Sequence, residues 1–213
     1  MSTRAGQLAI ASGIVGILAT LVLIAFFILE APQTVAAGAK TSRLGALNDA
    51  LGGIQLLLLL PVAARLALAG NLPSRLGAIA GVVGLAAGAI ASELYVLELI
   101  GFTVNYPMVA AGNGLVGVWI LTISLGGEPR LARGLKRLGI ATGAGLLMIP
   151  LGVFLLGGLG SLSDPRLALR NYPFLATAAI GITAFAIALP IWSIWLGRQL
   201  RVAKAEARNL PPA

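Results

Sequence analysis

The sequence predicts an all-α, polytopic integral membrane protein of six transmembrane helices, packed through Gly/Ala-rich faces and oriented N-in/C-in. Three observations predict it. Hydrophobic residues make up 58% of the 213-residue chain and charged residues only 10%, where a soluble domain carries about a quarter charged. The charges are gathered rather than spread, leaving uncharged windows at 5–29, 50–64, 76–92, 99–127, 138–163 and 171–197. Glycine accounts for 28 residues, about twice its usual share, and small residues let helices approach closely in lipid. A transmembrane β-barrel would instead alternate apolar and polar residues in segments of about ten.

A bilayer core about 30 Å thick takes roughly 20 helical residues. The first window gives a helix over 8–29. Its apolar run exceeds that of a signal peptide and only Arg4 precedes it, so it reads as a retained span, although TVAAGA (34–39) has the small residues of a cleavage site. The second helix, 47–69, opens LNDALGGIQLLLLLPVAARL: an amide and a carboxylate, then almost nothing polar. Asp49 to Arg65 spans only about 24 Å of helix, so either Asp49 dips below the headgroups or Arg65 snorkels to the interface. The third helix, 76–99, starts behind Arg75 and ends at Glu98. The fourth, 106–126, begins at Asn105 and Tyr106. The fifth, 136–158, follows the basic stretch EPRLARGLKRLG (128–139). The sixth, 173–197, ends in PIWSIWLGRQL, with Trp192 and Trp195 marking a membrane boundary. Residues 1–200 therefore form one six-helix domain and 201–213 a basic cytoplasmic tail. Pro61, Pro150 and Pro190 interrupt helices two, five and six, freeing the carbonyls of Leu57, Leu146 and Ala186.

Lys and Arg set orientation. With the N-terminus inside, eleven of the fifteen basic residues are cytoplasmic, leaving Lys40, Arg43, Arg166 and Arg170 outside. The expected location is a bacterial inner membrane, multi-pass, with both termini cytoplasmic. The net charge of +8 then belongs to anionic headgroups, not to nucleic acid. The basic surface comprises Arg130, Arg133, Lys136, Arg137, Arg198, Arg201, Lys204 and Arg208, and a docking face for an acidic partner is its second reading.

Composition also removes chemistries. With no His and no Cys, haem and zinc lose their usual ligands, and disulfides and a Ser-His-Asp triad are impossible. Lys occurs only at 40, 136 and 204, outside the spans, so a retinal Schiff base has no lysine. No cofactor is identifiable, though a pigment or lipid held by packing alone would leave no signature. An enzyme is not expected.

What remains is polar residues in apolar helices. Asn48, Asp49, Gln55, Glu93, Glu98, Asn105 and Asn113 form a candidate polar or cation site among helices two, three and four, because ionisable groups in a membrane usually face a cavity or partner. The competing reading is that the acids sit wet in the interface and merely terminate their helices. At about 100° per residue, Gly77, Gly81, Gly84 and Gly88 share one face of helix three with Tyr95, a helix-packing stripe. Glu93 points nearly opposite, so it needs a second interface, another protein or headgroups. Asn113 shares a face with Gly117 and Ser124 and must find a partner.

Two stretches, NLPSRLGAIAGVVGL (71–85) and the closing PIWSIWLGRQL (190–200), carry a resemblance to small six-helix bacterial membrane proteins of unknown function. The resemblance implies a six-helix membrane fold and no activity. Two function classes follow from the residues. The first and favoured is a non-enzymatic accessory or scaffold subunit that packs with other membrane proteins or as a homo-oligomer. The second is a small transporter or channel for a cation or small solute, using the outward-facing acidic and amide cluster.

Overall fold

The structure is a computed structural model that describes residues 3–30, 42–69, 72–126, 131–163 and 170–208. Among these residues there is no strand, and six helices are long and apolar enough to cross a membrane. The chain is thus a multi-pass helical membrane protein. Helix α1 (Thr3–Ala25) runs on through a π-helical turn, Phe26–Glu30. Then follow α2 (Arg43–Ala69), α3 (Leu72–Val96), α4 (Phe102–Leu125) and α5 (Arg133–Pro150), the last extended by a second π-helical turn, Leu151–Leu155. After the short α6 (Gly158–Ser163), the sixth span is built of α7 (Tyr172–Thr183), a third π-helical turn (Ala184–Ala188) and α8 (Leu189–Arg208).

Each span packs on its sequence neighbours, and the sixth returns to the first, closing a ring. The helices touch where glycine strips away the side chain. A Cβ on Gly84 would lie 2.5 Å from the carbonyl oxygen of Gly112, and one on Gly112 would lie 2.8 Å from the carbonyl of Gly84, so α3 and α4 meet backbone to backbone. Gly6 and Gly197 join α1 to α8 in the same way. Any larger residue at these four positions has to push the helices apart.

Boundaries differ from the sequence expectation in several places. The first four N–H groups of a helix need no partner inside it, so helices begin nearer their flanking charges: α2 at Arg43 and α5 at Arg133. Helix α4 starts at Phe102 rather than near Tyr106, which places Pro107 inside it. Helix α3 stops at Val96 rather than 99, because Glu98 takes φ +59°. There the Leu99 N–H reaches back to Leu94 O and the Glu98 N–H to Tyr95 O, both at 2.9 Å, the hydrogen bonds of a Schellman stop. Helix α8 continues to Arg208 through much of the segment expected as a tail. TVAAGA, Lys40, Arg130 and Arg166 lie outside the described residues.

The break at Pro190 is met partly within the span and partly from α1. Before Pro190, the Leu189 N–H bonds five residues back to Ala184 O. The carbonyl of Ala186, which Pro190 cannot serve, accepts from the Thr20 hydroxyl of α1 at 2.5 Å, with Gly16 O as that hydroxyl's intrahelical alternative at 2.9 Å. A β-branched Thr in α1 thereby completes the hydrogen bonding of the sixth span.

Candidate functional site

The two ends of the ring differ in charge. Helix termini bearing Arg4, Arg65, Arg75, Arg133, Lys136, Arg137, Arg198 and Arg201 share one end, the basic end. The other, acidic end carries Glu30, Asp49 and Glu98 beside Arg43 and Arg170.

At the acidic end a cleft of about 410 Å³ opens between the close of the first span, the start of α2 and the α3–α4 turn. The local sequence builds its walls. Ser42 caps α2, its Oγ accepting the Gly45 N–H at 2.8 Å, while Glu30 Oε2 accepts the Leu44 N–H at 3.0 Å. A hydroxyl and a carboxylate thus serve two free N–H groups at the positive end of the helix. That start positions Arg43 on the rim and Asn48 and Asp49 one to two turns in. Asn48 Nδ2 donates to Asp49 Oδ1 over a long 3.4 Å. Opposite stand Tyr95 and Glu98, the latter turned toward the cleft by its left-handed backbone, with Phe102 beginning α4. The rings of Tyr95 and Phe102 sit 6.2 Å apart and those of Phe102 and Tyr106 5.4 Å apart.

Of the seven polar residues singled out in the sequence, the cleft gathers three: Asn48, Asp49 and Glu98. The other four do not line it. Glu93 lies against α2 one helical turn below Asp49, where a Cβ on Gly53 would meet Glu93 Oε1 at 2.5 Å. This is the second interface that its position opposite the glycine stripe required. Gln55 is fully buried against Gly16 of α1, close to Pro190. Asn105 and Asn113 are buried in α4. Each of the four leaves a buried polar atom without a partner among the described residues: Glu93 Oε1, Gln55 Nε2, and the Oδ1 of both asparagines.

Beyond this level the core closes. Leu59, Trp119 and Trp192 are 0% exposed and Leu56 1%, and the two indoles meet edge to face at 5.8 Å. No three His, Cys, Asp or Glu side chains come together to hold a metal ion among the described residues.

The glycine stripe of α3 is divided between neighbours. Gly77, Gly81 and Gly84 face α4 at Thr122, Trp119 and Leu115, while a Cβ on Gly88 would point at Leu56 of α2, 2.9 Å away. Sequence reasoning missed the matching set on α1, where Gly6, Gly13 and Gly16 meet α8 and Pro190; their spacing was the available signal. It also missed a groove of about 410 Å³ on the outer side of α5 and α7, lined by Ala141, Gly145, Ala179, Ile180, Thr183 and Ala184. The Thr183 hydroxyl donates to Ala179 O at 2.8 Å, so the groove presents no free donor from that residue.

Comparison with protein-family models, with curated proteins and with solved structures returns no match.

Proposed function

We propose that this is a non-enzymatic membrane protein of the accessory or scaffold kind, lying in a cell's inner membrane with the basic end and both termini cytoplasmic. The orientation rests on Lys and Arg favouring the cytoplasmic side. The single observation that carries the scaffold reading is the groove along α5 and α7. Its floor is the seam where Gly145 and Ala184 pack on each other, and the exposed Ala141 and Ala179 beside it are small enough to admit another helix. The α3 glycines cannot play this part, because helices of the same chain already cover them. The occupant proposed is a transmembrane helix of another membrane protein.

The chain has no Cys, so single cysteines can be placed cleanly. With Cys at Ala179 or Thr183, oxidative or bifunctional cross-linking in native membranes is expected to capture a partner polypeptide in stoichiometric yield. Cys at Ile17, on the exposed face of α1, serves as the control. Equal capture from all three positions, or none from the groove, would sink the scaffold reading.

A second reading, binding or passage of a small solute at the acidic end, is favoured by the cleft that gathers Asn48, Asp49 and Glu98. With Leu59, Trp119 and Trp192 buried beneath it, this reading is of binding rather than passage; transport would require the α2 and sixth-span packing to open.

A further inference from the structure

The cleft at the acidic end combines two features that select a ligand class. It brings two carboxylates, Asp49 and Glu98, to a wall shared with the aromatic rings of Phe26, Tyr95 and Phe102, against the single cationic side chain of the lining, Arg43 at the exposed rim. Among the described residues Asp49 accepts one hydrogen bond, the long one from Asn48, so its remaining lone pairs are open to a ligand. An inorganic cation fits this lining poorly. Hard ions take six or more oxygens at short range, whereas no trio of acids gathers here among the described residues and much of the wall is Leu23, Val96 and ring carbon. A volume of about 410 Å³ falls within the range of small-molecule pockets, about 300–1,000 Å³. Ring faces attract an organic ammonium, and carboxylates fix its charge.

We propose that this cleft binds an organic ammonium group carried on an apolar body, the charge held at Asp49 and Glu98 and the body lying against Phe26, Tyr95 and Phe102. The assignment rests on the solute-binding reading and names its substrate class. The same chemistry is offered by a free alkylamine and by the headgroup of an ethanolamine lipid.

The test is calorimetric titration of the full-length protein, held in nanodiscs of phosphatidylglycerol, whose headgroup carries no ammonium, with n-butylammonium and tetraethylammonium. Butanol and potassium chloride are titrated in parallel, and wild type is compared with Asp49→Asn and Glu98→Gln. Helical content and elution volume establish that each variant is folded. The expected result is saturable binding of at least one ammonium probe and not of butanol, weakened about ten-fold or more by Asp49→Asn, the loss of one charge-assisted contact. Nanodiscs containing phosphatidylethanolamine separate the two sources: ammonium affinity falls by competition if the headgroup is the occupant and is unchanged if a free amine is. Either result upholds the ammonium assignment. Binding of potassium that depends on Asp49, with no ammonium binding, would overturn the assignment and leave a solute site standing. Absence of all binding, or ammonium binding indifferent to both substitutions, overturns the assignment and the solute reading together.

Discussion

The two halves of the ring are closed by different means. Toward the basic end, α4 and α5 meet at Gly117 and Gly143 and α1 and α8 at Gly6 and Gly197, backbone against backbone, beside Trp119 and Trp192 stacked edge to face. The polar atoms without partners there are neutral ones, two indole N–H groups and the Ser124 hydroxyl. Toward the acidic end a cleft opens, and among the described residues Glu93 and Asn105 in that half, with Gln55 and Asn113 at mid-height, leave a carboxylate oxygen and three amide atoms without partners. Both halves thus carry unmatched polar atoms among the described residues, and what sets the acidic one apart is its open cleft. A buried polar group without a partner costs about 1–3 kcal/mol, a cost the two halves share.

The contrast is broken most directly at the tight contacts. Gly84→Leu places a side chain where even a Cβ would lie 2.5 Å from Gly112 O. Overpacking of this kind costs about 1–3 kcal/mol or more, and loss of monodisperse, helical protein on gel filtration is the expected outcome. A Gly84→Leu protein that melts like wild type would show that α3 and α4 do not meet as described.

A smaller effect is expected at Thr20. Removing its hydroxyl in Thr20→Val strands the Ala186 carbonyl at a cost of about 1 kcal/mol, the upper range for interhelical hydrogen bonds in membranes. Pro190→Ala restores the missing donor, so the Thr20→Val penalty should shrink in that background. A double-mutant cycle on melting temperature measures the coupling, and strict additivity would contradict the pairing.

At the acidic end the signs reverse. Glu98→Gly removes a non-glycine residue from a left-handed backbone and should stabilise the fold by about 1 kcal/mol, while weakening ammonium binding. Destabilisation would mean that the Glu98 side chain holds the turn. Gln55→Leu, replacing a fully buried amide whose Nε2 is unpartnered, should change stability least, within about 1 kcal/mol in either direction. A large loss would reveal a partner for that amide.

The six spans were legible because charge is absent from long windows, and lipid permits nothing else there. Their ends were less so. Flanking charges such as Arg43 and Arg133 lie inside the first turn, and the cap of α2 depends on Ser42 together with Glu30, a residue from the end of the previous span. The three π-helical turns were not legible at all, and the one before Pro190 is bound up with a hydroxyl from α1. Half the cleft could be read. Asn48, Asp49 and Glu98 stood out as polar residues at helix mouths, while Arg43 read as an orientation charge and nothing set Phe26 or Phe102 apart from other apolar residues. Helical geometry set Glu93 opposite the glycine stripe, yet Glu93 and Gly88 of that stripe both face α2. It could not say that Gln55, on the same face as Asn48, would turn into the α1–α8 contact, since that depends on how closely Gly16 lets α2 approach.

The cleft opens the acidic end to water as far as Asn48 and Asp49, while the opposite half is packed shut. Single-cysteine labelling tests it most directly, with a water-soluble maleimide on Asn48→Cys and Ser193→Cys in nanodiscs. Asn48 lines the cleft and Ser193 is 0% exposed, so the account predicts rapid labelling of Asn48→Cys and labelling of Ser193→Cys only after denaturation. Equal rates for the two variants, or an Asn48→Cys protein that stays unlabelled until it is unfolded, would contradict it.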